Sequence, residues 1–250
     1  MVRPAEEILQ NINRNINCLG EDNRNTRKRA IEGIRKEIIG RKDGLDGEII
    51  QEVLNEIIRP VLKLVSDPVE KCREVSIDFL KDSISKSSKP EEFLSFIIPV
   101  LTQRLGQIDV VEPSEEIRLQ SVVFLTELVN LTQKHMVAYF DDMVSILQRT
   151  IIDPYPEVKK ESCKCTCALA RAVPQHFHMQ SESLIKPLLQ SISHQHSKVR
   201  VEVILTIGVY NGLYLEIATV DAMECAASLC CLCFNMRNAI TTGDISGLCP

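Results

Sequence analysis

The stretch DPYPEVK, residues 153–159, contains the pattern that decides the fold of this chain. An acidic turn residue is followed five positions later by an apolar residue and six positions later by a base. With some departures, the pattern occurs five times: Glu21…Thr26-Arg27, Asp67…Cys72-Arg73, Glu112…Ile117-Arg118, Asp153…Val158-Lys159 and His194…Val199-Arg200. The turn positions lie 46, 45, 41 and 41 residues apart. A period of this size is typical of stacked helix pairs, so the sequence predicts an all-α fold, an α-solenoid of about five repeats.

Each repeat is interpreted as a helix A, a tight turn and a helix B. In the third repeat Pro90 is expected to open helix A, and Glu112 and Pro113 to form the cap and first position of helix B. Pro60 lies inside the second helix A, where a kink or break is expected. Apolar residues of the third helix A recur at helical spacing: Phe93, Phe96, Ile97, Val100, Leu101 and Leu105.

The pattern also sets the expected domain organisation. The solenoid is placed at residues 1–204, with repeats at about 5–40, 46–87, 90–134, 137–173 and 177–204. A sixth turn is due at about 235–240, but no acid-Pro turn occurs there. Residues 205–250 are therefore interpreted as a divergent, Cys-rich tail, helical or poorly ordered. The hypothesis is an alternative or read-through end to an array that normally continues.

The acid and the base of the pattern are expected to pair between repeats. Six helical residues advance by about 600°, which leaves the two side chains roughly 120° apart around the axis. Neighbouring helices pack ~8–10 Å apart, so the base of one repeat can reach the acid of a neighbouring repeat, in whichever direction the stack dictates. The predicted inter-repeat ladder comprises Glu21, Asp67, Glu112, Asp153, Arg27, Arg73, Arg118, Lys159 and Arg200.

Four residues after each apolar position of the pattern lies a third column, in which four of five residues are small. Small side chains allow helix B to cross helix A closely. The predicted packing column is Ala30, Ser76, Ser121, Ser162 and Val203.

The Asp-Pro turn, the Val-Arg or Val-Lys pair and the small residue together resemble the HEAT repeat over residues 5–204. Within this range, residues 153–201 look like the HEAT-repeat dynein axonemal assembly factors, and residues 5–152 fit them less distinctively. The resemblance depends on DPYPEVKK, on the CKCTC helix, on ARAVP and on Lys198-Val-Arg200. It implies cytoplasmic preassembly of dynein arms, with dynein intermediate and heavy chains and other assembly factors as partners. Residues 205–250 match nothing in that pattern.

The sequence shows no Gly-rich phosphate loop, no Ser elbow and no His-Glu-x-x-His helix, so no catalytic or cofactor site is assigned. Cys163, Cys165 and Cys167 invite a metal site, but on a helix Cys165 points away from the other two. They are interpreted as small core residues. The pairs His176/His178 and His194/His196 are interpreted as solvated turn histidines.

Residues 24–42 hold eight bases, but without an aromatic residue for base stacking and with Glu32 and Glu37 between them. A solvated helix face is favoured, and nucleic acid is disfavoured as a partner. Two alternatives stay open: another HEAT scaffold, such as a transport receptor or phosphatase-type adaptor, and a weak RNA-binding solenoid.

Composition agrees with a non-enzymatic, protein-binding scaffold. Aromatic residues are only 4% and Trp is absent, which suits thin helix pairs filled by Leu, Ile and Val. The net charge of −5 gives no general attraction to nucleic acid or acidic membranes. The first ten residues contain no apolar run, so no secretory signal is expected, and the ten cysteines are expected to be reduced thiols in the cytoplasm.

Overall fold

The computed structural model describes the backbone of residues 4–41 and 43–221 and the side chains up to residue 209. Within these residues the chain is helical and contains no strand. Eleven α-helices are described: α1 Pro4–Cys18, α2 Arg24–Ile38, α3 Gly47–Leu64, α4 Glu70–Ile84, α5 Leu94–Leu105, α6 Glu115–Thr132, α7 Phe140–Thr150, α8 Pro156–Ala172, α9 Pro174–Gln180, α10 Ile185–Ser191 and α11 Ser197–Asp221. Short 3-10 helices Pro90–Phe93, Gln133–Tyr139 and Ser181–Leu184 precede α5, α7 and α10.

The helices form two layers. The A layer stacks α1, α3, α5 and α7 in order, and the B layer stacks α2, α4, α6, α8 and α11 in order. In the fifth repeat, α9, a 3-10 turn and α10 take the place of helix A and contact α8, α7 and α11. This arrangement confirms the α-solenoid predicted from the period of the turns.

One continuous apolar core runs between the layers through all five repeats. Its residues are mainly Ile, Leu and Val, and the largest fully buried side chains are Phe79, Phe93, Phe124 and Phe177. Each repeat buries its apolar stripe against its own partner helix and against the neighbouring repeat. The core therefore fixes the relative position of consecutive turns, where the polar residues of the pattern lie.

The start of helix B differs from the sequence prediction. The three helices after the acid-Pro turns begin at Glu70, Glu115 and Pro156, which lie three residues after the acid. The acid is therefore not the cap residue and the proline is not the first helical residue. The extra residues are needed because the acid first closes a separate turn, described below.

The described helices bear on two further expectations: no break occurs at Pro60, and residues 205–221 are helical, one of the two states expected for the tail. Helix α3 continues without a break through Pro60 to Leu64, where the flanking Ile57 and Val61 are fully buried. Helix α11 runs from Ser197 to Asp221, so residues 205–221 continue the fifth helix B. The due sixth turn, the cysteines after residue 221 and the hypothesis of an altered chain end lie outside the described residues.

Candidate functional site

The turn acid of each inner repeat closes its own turn. Its carboxylate accepts a hydrogen bond from the backbone N–H two residues later, which fixes the chain before helix B begins. The three bonds are Val69 N to Asp67 Oδ1 (2.8 Å), Ser114 N to Glu112 Oε1 (3.1 Å) and Tyr155 N to Asp153 Oδ1 (2.8 Å).

The same acids bind the arginine of the preceding repeat. In each pair, Nε and Nη2 of the guanidinium donate to the two oxygens of one carboxylate, a planar bidentate geometry. The distances are 2.6 and 2.9 Å for Arg27–Asp67, 2.8 and 2.8 Å for Arg73–Glu112, and 2.7 and 3.0 Å for Arg118–Asp153. The structure thus brings six of the predicted ladder residues together, each base reaching forward to the next acid.

The third guanidinium nitrogen, Nη1, has a role that sequence reasoning missed. It donates to two backbone carbonyls of the arginine's own turn. The acceptors are Glu21 and Asp22 for Arg27, Asp67 and Pro68 for Arg73, and Glu112 and Pro113 for Arg118, all at 2.8–3.3 Å. Each arginine therefore ties its own turn to the next one. The six-residue spacing between acid and base predicted which side chains pair. It could not predict the backbone carbonyls that accept hydrogen bonds from Nη1.

These pairs are buried. Arg73 and Glu112 are 5% and 1% exposed, and Arg118 and Asp153 are each 7% exposed. Burying a charge is costly unless it is paired and hydrogen-bonded, so removing one partner leaves the other in an unfavourable state. The ladder consequently links the turns of the first four repeats through buried, fully hydrogen-bonded charges.

Glu112 has a second base that the pattern did not reveal. Arg104, at the end of α5, also donates from Nη2 to Glu112 Oε2. Burial acts to raise the pKa of Glu112, but hydrogen bonds from Arg73 and Arg104 outweigh it and hold that pKa below its usual value. Arg104 occupies no column of the repeat, so the sequence carried no signal for it.

The ladder is interrupted between the fourth and fifth repeats. Lys159 is buried, but no hydrogen bond or ion pair is observed for its side chain among the described residues. Burial lowers the pKa of Lys159, although the charge of Asp153 opposes this shift. His194 stands at the acid position and reproduces the local role only, since its Nδ1 accepts from His196 N at 3.1 Å.

The two ends of the ladder lack a counterpart within the described residues. Glu21, the first turn acid, is exposed, and its backbone carbonyl accepts from Arg27. Arg200, the last base, donates from Nη1 to the carbonyls of His194 and Gln195 at 2.8 and 3.0 Å. No acid of a following turn contacts it among the residues described.

The predicted packing column is buried throughout: Ala30, Ser76, Ser121, Ser162 and Val203 are 0–2% exposed. The serines satisfy their hydroxyls inside the helix. Ser121 Oγ, for example, donates to Ile117 O at 2.8 Å, and Ser162 Oγ to Val158 O at 2.8 Å. A buried serine at this position therefore leaves no polar group unpaired.

The cysteines of α8 lie at the helix interfaces. Cys165 is fully buried beside Thr126 of α6, whereas Cys163 and Cys167 lie beside Thr206 of α11. Burial raises the pKa of both Cys163 and Cys165 to about 12. In the described part of the chain, no group of three His, Cys, Asp or Glu is placed to hold a metal ion.

Four of the eight bases in residues 24–42 are paired with carboxylates. Arg27 belongs to the ladder and Arg35 binds Asp82 of α4. Lys28 pairs with Glu32 and Arg41 with Glu37, both as exposed pairs one helical turn apart. These pairs favour a solvated helix face over a surface that binds phosphates.

The B layer carries a row of half-buried carboxylates across adjacent helices: Glu74, Asp78 and Asp82 on α4, Glu127 on α6, Glu161 on α8 and Glu202 on α11. Most have a partner, such as Lys164 for Glu161 at 3.1 Å. Burial is the main cause that raises the pKa of Glu127; the charge of Lys81 opposes the shift, and the charges of Asp82 and Glu161 add to it.

Solved structures similar to this one are designed helical-repeat proteins. A computationally designed armadillo repeat protein for modular peptide recognition superposes with a TM-score of 0.62 at 17% identity, covering 82% of this chain and 86% of that chain. A designed armadillo repeat protein in complex with the peptide (KR)4 gives a TM-score of 0.60 at 17% identity, over 82% and 86% of the two chains. At such identities the likeness shows the fold alone.

None of the helices that the structure describes is long and apolar enough to cross a bilayer.

Curated relatives are more similar to this chain in sequence than the solved structures are. Dynein axonemal assembly factor 5 from Xenopus laevis is 50% identical over 206 residues, which is 82% of this chain and 24% of that protein. The proteins of the same name from Mus musculus and Homo sapiens are 37% and 36% identical, again over 82% of this chain and over 25% and 24% of their own lengths. The chain thus spans about a quarter of the length of the curated relatives it matches.

A family described as "Dynein axonemal assembly factor 5-like, TPR repeats" matches residues 18–224. TPR repeats have a period of about 34 residues, so the 41–46-residue spacing found here is closer to HEAT and armadillo repeats. The match passes residue 204, so the expectation that the resemblance ends there is wrong for residues 205–224. With most of its length matched, the chain belongs to the dynein axonemal assembly factor 5-like family.

Proposed function

We propose that the chain is a non-enzymatic, protein-binding scaffold for the cytoplasmic preassembly of axonemal dynein arms, a step required for ciliary motility. The observation that carries this proposal is the shared name and sequence of the relatives, together with a solenoid whose polar turn residues are used to join repeats. Dynein intermediate and heavy chains and other assembly factors are the proposed partners. The chain spans about a quarter of the length of its relatives. The proposal therefore concerns only what these repeats contribute to dynein-arm preassembly.

The B layer is the proposed contact surface. The acids and bases of the three complete ladder pairs are buried against each other, so they offer little charge to a partner. The row of carboxylates on the B layer remains accessible at its edges, and Glu127 at its centre has no pairing base among the described residues. Such a row favours basic segments of a partner, since complementary charge steers association and fixes register.

The test is affinity capture from cytosol of ciliating cells with the full chain as bait. We expect dynein intermediate or heavy chains, or other assembly factors, to be recovered above an unrelated helical-repeat bait. Glu127→Lys should reduce that recovery, because it reverses charge at the centre of the row. The matched control is Glu52→Lys, an equal charge change at an exposed position of α3 in the A layer.

Both variants must first show unchanged thermal unfolding, so that a lost interaction is not a lost fold. Recovery of no dynein chain and no assembly factor by the unmodified chain would contradict the proposed function. Equal losses for the two variants would contradict the assignment to the B layer and leave the function itself standing.

A further inference from the structure

Arg200 is an incomplete member of the ladder. Its Nη1 binds the two carbonyls of its own turn, as in Arg27, Arg73 and Arg118. Its Nε and Nη2, which in those three arginines hold the next carboxylate, have no partner among the described residues. Arg200 is also only half-buried, whereas the three complete members are 5–9% exposed. The guanidinium is thus held in the orientation that receives a carboxylate.

The helix surface beside Arg200 is the surface that faces a following repeat. In α4 the residues one and five positions after the ladder base are Glu74 and Asp78, and both accept hydrogen bonds from Gln120 of the next helix B. The equivalent residues of α11 are Val201 and Leu205. They are 53% and 57% exposed, so two large apolar side chains lie open at the position of a repeat interface.

Helix α6 presents a similar surface, and the next helix B packs beside it. Its residues at the same two positions, Leu119 and Val123, are also apolar. Both are half-buried; in this repeat α8 packs beside α6 and Asp153 pairs with Arg118. The α11 face therefore carries an arginine and two apolar residues as the α6 face does, and no helix pair of the described residues covers it.

We propose that the α11 face formed by Arg200, Val201 and Leu205 binds a helical repeat of a partner protein, one with a carboxylate at its turn and an apolar side on its second helix. This inference rests on the proposed scaffold function and specifies the chemistry of one partner surface.

Two other occupants of the α11 face fit less well: a later segment of the same chain and a second copy of the chain. In the three complete pairs the acid follows the base by 40, 39 and 35 residues, and residues 235–240 contain neither Asp nor Glu. The chain thus supplies no acid at the interval used elsewhere. A second copy would bring its first repeat, where Glu21 is available, but α2 presents the exposed Arg24 and Arg29 around it. These bases would repel Arg200 and would not cover Leu205.

The probe for this face is a fluorescent peptide with the sequence of residues 137–173. In the folded chain this segment forms α7 and α8, and it covers the matching face of α6. The peptide is titrated into the full chain, with anisotropy reporting binding and circular dichroism reporting the helix gained. We expect saturable binding that weakens about tenfold or more with Arg200→Glu, since the charge that meets the carboxylate is reversed.

The matched control is Lys198→Glu, an equal change two residues away on an exposed position of α11, which should alter binding by less than about twofold. Leu205→Lys should weaken binding to the unmodified peptide. A peptide carrying Asp153→Arg should bind the unmodified chain poorly and regain binding to the Arg200→Glu chain. The restored pair separates a direct contact from a general loss of fold.

Absence of saturable binding, or binding indifferent to Arg200→Glu, would overturn the proposal. Self-association of the full chain that Glu21→Lys abolishes would assign the face to a second copy instead. Binding seen only after deletion of residues 222–250 would assign it to the chain's own carboxyl-terminal segment. Capture of dynein chains that is undiminished by Arg200→Glu would leave the proposed function intact while this inference fails.

Discussion

Arg73 and Glu112, from consecutive repeats, form a buried bidentate pair in which both N···O distances are 2.8 Å. Arg73 also donates to the carbonyls of Asp67 and Pro68 in its own turn, and Glu112 also closes its turn through Ser114 N. One pair therefore holds two turns in shape and fixes the distance between them. This relationship occurs between each two consecutive repeats from the first to the fourth, and it adds polar links at the turns to the continuous apolar core.

Replacing Glu112 by Gln should destabilise the protein by about 3 kcal/mol or more. The change leaves Arg73 and Arg104 beside a neutral group in a buried site, which costs more than losing an exposed pair. Urea unfolding followed by circular dichroism measures the change, and hydrogen exchange should show faster opening between the second and third repeats. Glu56→Gln, at an exposed position of α3, serves as the control and should change stability by less than about 0.5 kcal/mol. A loss no larger than in this control would contradict the role given to the pair.

Acid should remove the contribution of Glu112. Its pKa is lowered in the folded protein, so its stabilising effect is complete above the ordinary value of 4.5 and is lost as the pH falls through the lowered value. The difference in unfolding free energy between the unmodified chain and Glu112→Gln should therefore be constant near neutral pH and shrink below about pH 4.5. Urea titrations from pH 7 to pH 3 measure this difference. A difference that grows on acidification would contradict the assigned direction of the shift.

Features that recur in several repeats could be predicted from the sequence. Contacts that occur only once could not. The turn positions, the inward stripes and the pairing of a base with the acid of a neighbouring repeat all follow from a period of 41–46 residues, because each feature occurs in several units. The direction of the pairing, with Arg118 reaching forward to Asp153, comes from the structure alone. Arg104 occurs in no column, and its contact with Glu112 depends on how α5 ends. The backbone acceptors of Nη1 and the late start of helix B depend on turn geometry that side-chain periodicity does not encode.

A complete pair can be built where the ladder is interrupted. Changing Lys159 to Arg and His194 to Asp should create a bidentate pair with the 35-residue separation seen for Arg118 and Asp153. The double variant should be more stable than the sum of the single variants predicts, with a coupling of about 1–3 kcal/mol. Thermal unfolding of the four proteins gives this coupling. A coupling near zero would mean that the fourth and fifth turns are not placed like the inner ones.

The small-residue column should tolerate a smaller side chain and reject a larger one. Ser121 is 2% exposed and bonds only to Ile117 O within its own helix. Ser121→Ala should therefore change stability by less than about 1 kcal/mol, because the carbonyl keeps its place in the helix and alanine favours the helix. Ser121→Leu should cost about 1–3 kcal/mol or more, because the added atoms meet a closely packed neighbour. Equal effects of the two substitutions, measured by urea unfolding, would show that close packing is not what the column provides.

The cysteines of α8 should resist alkylation as long as the chain is folded. Thiolate is the reactive form, and burial raises the pKa of Cys163 and Cys165 to about 12, so only about one thiol in ten thousand is ionised at pH 8. Among the five cysteines that the structure describes, half-buried Cys18 should be labelled first by iodoacetamide, and Cys163 and Cys165 only after unfolding in urea. Peptide-resolved mass spectrometry measures each rate separately. If Cys165 reacted as fast as Cys18 in the native protein, α8 would not be packed between α6 and α11, and the ladder register built on that packing would be wrong for the fourth repeat.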